Sequence, residues 1–310
     1  MYSLSFSDFE EYSGAIQNID WRCTLTSLSQ SYWSLNSCDI GSIKIQSGYE
    51  GSPLIFEGAT HQGYWTFYLQ RSGVLGAVNG IQLDSESVFL IPPVGQVCFA
   101  SLGEFNWQSI HIPTEQLFPS GSAPKKFHES ARVISPGYGL ASRLKILVDR
   151  FMWASEAEPS VMTEPASIAN FSEHIVDTAQ KILGYESAPT KPERLMVSRR
   201  QLIQVAVQLI EECPEKSLSV TVLAKSVGVS ERTLRTAFVE YLGMPPLRYL
   251  RLRRLNHARK LLQQAAPEEL TVSGVAAQLG FWDYGRFAGS YRILFGELPS
   301  KTLQSPSAKR

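Results

Sequence analysis

Long apolar runs are missing from this chain of 310 residues. None approaches the roughly 18 consecutive apolar positions of a membrane span, so no membrane partner is expected. Cysteine is scarce. Cys23, Cys38, Cys98 and Cys213 are not in C-x-x-C spacing. That supports neither a disulfide framework nor a zinc cluster, and each reads as a small buried apolar side chain in a reducing compartment. His61, His111 and His128 stand alone, without an H-x-H pair. Metal catalysis is therefore disfavoured, and no metal or cofactor is expected. The opening MYSLSFSDFEEY lacks a basic start and an apolar stretch, so a secretory leader is not expected and a cytoplasmic location is.

What is present suits two folded domains, since 44% of the residues are hydrophobic. The formal charge sums to zero but is unevenly spread. Residues 194–310 hold 18 Lys and Arg against 9 Asp and Glu, a net +9, and residues 1–193 hold 11 against 20, a net −9. A basic half beside an acidic one points to nucleic acid as the partner of the basic half.

The stretch GFWDYGRFAGSYRILFGELP, residues 280–299, looks at first like a phosphate-cradling loop. It follows a helical pattern, VSGVAAQL, and no Gly-Lys-Ser/Thr ends it, so that reading is weak. A repeat explains it better. Ala224 and Gly228 recur 52 positions on as Ala276 and Gly280. Leu234, Phe238, Gly243 and Pro246 recur 53 positions on as Phe287, Tyr291, Gly296 and Pro299, so the second turn holds one extra residue. Each copy reads as a short helix, a turn glycine, an N-cap (Ser230, then Asp283), a second helix with an inward stripe, and a Gly-x-x-Pro stop. That is a helix-turn-helix, twice. Gly285 and Gly289 are expected to permit close backbone approach, and Trp282 to serve packing rather than base contact.

Side chains off the inward stripe of each second helix are the candidate readers of the major groove. They are Arg232, Arg235 and Thr236 in the first copy and Tyr284 and Arg286 in the second. Arginine suits this because its planar fork pairs with guanine O6 and N7. Between the copies, PLRYLRLRRLNHARKLLQQ places Tyr249, Leu252, Leu255, Ala258 and Leu262 on one face of a connecting helix, predicted over 247–262. Its Arg248, Arg251 and Arg254, with Ser290, are the candidate phosphate contacts, and Arg253, Arg259 and Lys260 are further basic candidates.

LAKSVGVSERTLRTAF, LGMPPLRYLRLRRLNHARKLL and VAAQLGFWDYGRFAGSYRILFGELPSKTL resemble the AraC/XylS family of bacterial transcription regulators, over about residues 199–304. The resemblance implies a cytoplasmic protein that binds double-stranded promoter DNA and controls transcription, commonly as an activator touching RNA polymerase. It places base contacts at Arg232, Arg235 and Thr236 and at Tyr284, Gly285, Arg286 and Gly289. The two glycines offer no side chain for readout.

From 40 to 113, SIKIQSG, SPLIFEG, GYWTFYLQ, GVLGAVNGIQL, SVFLIPPVGQVCFA and FNWQSIHIP read as six strands, with a hairpin turn at Asn79-Gly80. An antiparallel sandwich or small barrel over 1–135 is expected. The resemblance implies that it is a cupin-like effector domain. Tyr49, Phe56, Trp65, Tyr68 and Trp107 are candidates for an apolar effector pocket, with plain core packing an equal reading of each. Residues 139–154 and 165–183 read as amphipathic helices, with stripes through Leu140, Leu144, Leu147 and Phe151 and through Ile168, Phe171, Ile175, Ala179 and Ile182. They are read as a dimerisation segment, 136–184, or as packing on the sandwich. YESAPTKPERLMV, 185–197, reads as a linker before a DNA-binding domain over 198–310. DFEEYSGAIQNIDWRCTLTSLS and SPLIFEGATHQGYWTFYLQ resemble the ethanolamine-operon regulator branch, which implies a small amine or a cobalamin as effector.

The expectation is thus an α+β chain, a β-sandwich sensor followed by an all-α domain of two helix-turn-helix units joined by a long helix. It acts as a non-enzymatic, homodimeric, sequence-specific DNA-binding activator answering to a small molecule. The alternative is an effector-independent regulator whose N-terminal domain only dimerises. A DNA alkyl-transfer repair enzyme would need a four-cysteine zinc site and an activated cysteine, and no cysteine here has such neighbours.

Overall fold

The computed structural model describes residues 2–17, 19–74, 76–119, 121, 131–137, 139–160, 163–185, 193–212, 218–264 and 270–304. The chain divides into two compact units, one of residues 1–23, 30–51 and 56–190, the other of 24–29, 52–55 and 191–310.

The first unit is built on strands β1 (Tyr2–Phe6), β2 (Ile19–Leu25), β3 (Trp33–Ile40), β4 (Ile43–Glu50), β5 (Leu54–Thr60), β6 (Tyr64–Gly73), β7 (Ala77–Val78), β8 (Ile81–Gln82), β9 (Val88–Ile91), β10 (Gln96–Ala100), β11 (Phe105–Pro113) and β12 (Arg132–Ile134). Helices α1 (Phe9–Ala15), α2 (Thr114–Leu117), α3 (Leu140–Ala157) and α4 (Pro165–Gly184) accompany them. A seven-stranded sheet runs β1-β3-β4-β11-β6-β9-β12, and a five-stranded sheet runs β2-β5-β10-β7-β8. The larger sheet is antiparallel throughout. Asn79 (φ 48°) and Gly80 (φ 77°) turn β7 into β8, both in the left-handed region that suits Asn-Gly.

Alternation along the strands sorts the larger sheet into two unlike faces. One face carries Ile43, Ile45, Trp65, Phe67, Leu69, Ile110 and Ile112, packed in one cluster with Leu144, Val148 and Phe151 of α3 and Ile175, Ala179 and Ile182 of α4. The stripes of both helices are therefore consumed on their own sheet, which of the two sequence readings is the packing one. The other face carries buried polar groups: Gln46, Glu50, Thr66, Gln70, Ser109 and His111.

Four of the expected strand segments map directly. SVFLIPPVGQVCFA is not one strand but two, β9 and β10, broken at Pro92-Pro93 and assigned to different sheets. Proline has no N–H for a ladder, and its fixed φ suits the turn. GVLGAVNGIQL likewise contributes the short pair β7 and β8. Strands β1, β2 and β3 precede the expected start at residue 40.

The second unit is helical: α5 (Glu193–Glu212), α6 (Val220–Ser226), α7 (Glu231–Leu242), α8 (Pro246–Gln264), α9 (Val272–Gln278), α10 (Tyr284–Phe295) and α11 (Pro299–Gln304). Residues 193–197, expected in the linker, open α5, and 186–192 lie outside the described residues. The connecting helix is α8, three residues longer than expected, with Pro246 at its start.

Candidate nucleic-acid interface

The two repeats fold alike, down to individual hydrogen bonds. Val229 N–H donates to Ala224 O at 3.0 Å, and Phe281 N–H to Ala276 O at 2.8 Å. Gly228 and Gly280 sit at φ 72° and 75° in the two turns. A side chain there would strain the backbone, so glycine is what the turn requires. Ser230 Oγ caps α7 by accepting from Thr233 N–H at 3.1 Å, and Asp283 Oδ1 caps α10 by accepting from Arg286 N–H at 2.9 Å. The extra residue of the second copy lies between the end of α9 at Gln278 and its following cap, Asp283. Gly243 and Gly296 end α7 and α10 in the left-handed conformation.

Ala224, Leu234, Phe238, Ala276, Phe287 and Tyr291 are all buried. Fully burying side chains the size of Leu234 or Phe238 contributes about 1.5–3 kcal/mol each. Packing of this stripe fixes the rotation of α7 and α10, and hence which residues turn outward.

Arg232, Arg235 and Thr236 all point to solvent on α7. Arg235 lies 3.6 Å from Glu231, both exposed, an arrangement worth little in water and readily exchanged for another acceptor. Thr236 Oγ1 donates back to Arg232 O at 3.0 Å. On α10, Tyr284 and Arg286 are exposed, and Arg286 lies 3.8 Å from Asp283. Ser290 Oγ donates to Arg286 O and accepts from Arg251 Nη2, which ties a candidate phosphate contact on α8 to one on α10.

Several sequence expectations change here. Gly285 and Gly289 do not serve close packing: a Cβ on Gly289 would meet nothing within 4 Å, and one on Gly285 only Asp283 Oδ1 at 3.6 Å. Both glycines are exposed. Trp282 is not packed but 81% exposed, immediately before the cap of α10. The basic residues of α8 divide by burial. Arg248 and Arg251 are exposed. Arg254 is half-buried over the Phe281 ring at 5.1 Å, and burial, then the charge of Arg251, lowers its pKa. Arg253 pairs with Glu211 of α5 and Arg259 with Glu297, so these two hold helices together. Lys260 is exposed.

In the first unit, Phe56, Tyr68 and Trp107 line one cavity between the two sheets, with Ile19, Trp21, Glu50, Phe89, Ile91, Val97 and Phe99. Trp65 instead faces the helices and packs edge-on against Phe118 at 5.3 Å. Tyr49, one residue before Glu50, points the opposite way and donates to Glu104 Oε2 at 2.6 Å. Sequence reasoning passed over Glu50. The signal was a lone acid at an inward position of an otherwise strand-like run. His111 is buried between Thr66 Oγ1, 2.8 Å from Nδ1, and Ser109 Oγ, 3.1 Å from Nε2. Burial, then the charge of Lys44, lowers its pKa to about 3. His61 is exposed, and His128 and Cys213 lie outside the described residues. Among the described residues, no three His, Cys, Asp or Glu side chains converge on a point that could hold a metal, and no helix is long and apolar enough to cross a membrane.

Residues 223–305 match the family described as "Helix-turn-helix domain". The chain is 41% identical over 97 residues to the XylDLEGF operon transcriptional activator 2 of Pseudomonas putida, covering 31% of this chain and 62% of that protein. It is 36% identical over 121 residues to the "Probable thc operon regulatory protein" of Rhodococcus erythropolis, covering 39% of this chain and 34% of that one. The chain thus spans about a third to three fifths of the length of these relatives. Among solved structures, an AraC-type DNA-binding regulator from Chromobacterium violaceum is 32% identical, with 37% of this chain and 99% of that chain covered and a TM-score of 0.34.

Proposed function

From a C-terminal domain of the AraC/XylS type, we propose that this chain is a sequence-specific, DNA-binding transcription regulator, acting as an activator and answering to a small molecule held by its N-terminal unit. The observation that carries the reading is the paired geometry of α7 and α10. Two helices of the same construction, each with a capped N-terminus, present Arg232, Arg235 and Thr236 and then Tyr284 and Arg286 to solvent. In this reading each enters a major groove N-terminal end first. Arg248 and Arg251 supply phosphate contacts and most of the affinity, and the exposed arginines of α7 supply sequence choice. RNA polymerase is the proposed protein partner, in keeping with relatives named as operon activators. A homodimer is the proposed assembly, as the commonest symmetric one.

The test is selection of bound fragments from a random duplex pool by the full chain, followed by a reporter placed behind the selected site. Recovery of one sequence motif, with reporter output that depends on the protein, is the expected result. Binding that shows no preference across the pool would overturn the reading.

A further inference from the structure

The cavity between the two sheets has an unusual lining. Its walls are aromatic: Trp21 stacks on Phe56 at 4.4 Å, Phe56 meets Phe99 at 6.0 Å, Phe99 meets Tyr68 at 5.5 Å, and Tyr68 stacks on Trp107 at 6.1 Å. Glu50 stands among these rings, 1% exposed. Its Oε1 accepts from Tyr12 O–H at 3.1 Å, and Tyr12 accepts from Trp107 Nε1 at 2.9 Å. Its Oε2 has no hydrogen-bond partner, nor do Trp21 Nε1 and Tyr68 Oη. Three buried polar atoms without partners line this one cavity, and each is costly to leave unpaired. The cost has a purpose if a ligand supplies the missing bonds.

We propose that this cavity binds a small uncharged molecule through a carbonyl or hydroxyl oxygen, which accepts from Trp21 N–H, Tyr68 O–H and the carboxyl O–H of Glu50. The inference rests on the effector-binding reading above and names the chemistry of the ligand. It follows from a count of donors. Trp21 Nε1 can only donate, a phenol donates, and a carboxyl group with no cation beside it keeps its proton. The titratable groups facing Glu50 are Tyr12 from α1 and Tyr68 from β6, with Cys23 of β2 beyond Tyr12, and none is a cation. Burial, the largest influence, raises the pKa of Glu50 well above the usual carboxyl range and raises those of both tyrosines. The complement of three donors is an acceptor. The size agrees, since a cavity of about 30 Å³ accommodates roughly two water-sized groups. That suits a carbonyl with one or two carbons, while bulkier parts of a ligand would lie toward Ile19 and Trp21, which are half-buried.

The experiment uses the full chain and three probes of similar shape: acetamide, isopropylammonium and acetate. Thermal unfolding and tryptophan fluorescence report occupancy, because Trp21 and Trp107 line the cavity. Acetamide is expected to raise the melting temperature and shift the emission, and the two ions are not. Glu50→Gln retains a donor and should bind acetamide within a few-fold of the parent. Glu50→Leu and Trp21→Phe each remove a donor and should bind at least tenfold more weakly. Binding should also weaken as pH rises and Glu50 ionises. Preference for isopropylammonium, abolished by Glu50→Gln, would overturn the proposal by making the site a cation cage, yet leave effector binding standing. Preference for acetate would overturn it in the same way. No occupancy by any probe, with DNA affinity indifferent to a broader panel of small molecules, would remove both the proposal and the effector reading.

Discussion

Arg259 and Glu297 are paired across the second unit, Nη1 to Oε1 at 3.1 Å, with the guanidinium lying over the Phe295 ring at 4.9 Å. The Arg259 side chain is only 10% exposed. The pair joins α8 to the turn between α10 and α11, where Glu297 also accepts from Thr302 Oγ1. Removing Arg259 leaves Glu297 with Thr302 and with Lys301 at 3.7 Å, so the loss is that of a charge-assisted hydrogen bond and its packing, about 1.5–3 kcal/mol. Arg259→Ala should lose that much in urea unfolding. It should leave the salt slope of DNA binding unchanged, because a phosphate contact would change that slope by about 0.9.

Arg235 is the opposite case, exposed and held only by an exposed Glu231. Arg235→Ala should cost about 1–3 kcal/mol of affinity on the selected site and little on random duplex. Titrations on both DNAs decide this. Equal losses would make Arg235 a phosphate contact.

Two glycines of the second unit should respond in opposite directions. Gly228 lies at φ 72° with nothing near its absent Cβ, so Gly228→Ala meets backbone strain alone and should destabilise by about 1–2 kcal/mol. Gly289 lies within α10 with equal space. Gly289→Ala should stabilise by up to about 1 kcal/mol through helix propensity. Under the proposed docking it should also weaken DNA binding, because a methyl group is added where the helix backbone nears the groove. Denaturant curves and gel shifts on both variants check this. Unchanged DNA affinity for Gly289→Ala would place that flank away from the duplex.

The first unit should be acid-sensitive through His111. Its folded pKa of about 3 lies below the ordinary 6.5. The unfolded chain therefore takes up a proton before the folded one does. The contribution is complete above 6.5 and is lost as pH falls toward 3, on the order of 5 kcal/mol at the acid end. Glu50 has the reverse sign, since its pKa is raised. Its contribution is present below the ordinary carboxyl pKa and is lost as pH rises through the folded value. Urea midpoints followed from neutral pH downward should show the loss, and His111→Gln should flatten it.

The repeat made the second unit legible, because Ala224, Gly228, Leu234 and Phe238 and their counterparts do local jobs that spacing alone reveals. The stripes of α3 and α4 were legible for the same reason, although their partner, the sheet face through Ile45, Phe67 and Ile110, is a tertiary matter. Strands β1 to β3 were not. WSLNSCDI of β3 interleaves Ser, Asn and Asp with its apolar residues, and these favour turns in isolation. Only the ladder with β4, Leu35 opposite Gly48 and Cys38 opposite Ile45, makes it a strand. The cavity was half legible. Its aromatics could be named, but Trp65 and Tyr68 are three apart on β6 and so point to opposite faces, a distinction that needs the register.

The unlike outward faces of α7 and α10 have a consequence for the proposed docking on a duplex. Under the proposed docking, two identical reading heads related by a two-fold axis would leave a protein indifferent to which way along the duplex it lay. Here one head offers two arginines and a threonine, and the other a tyrosine, an arginine and bare backbone at Gly285 and Gly289. Rotating the DNA end for end hands each head the bases meant for the other. Under that docking, a lone copy of this chain carries a sense of upstream and downstream in its own sequence.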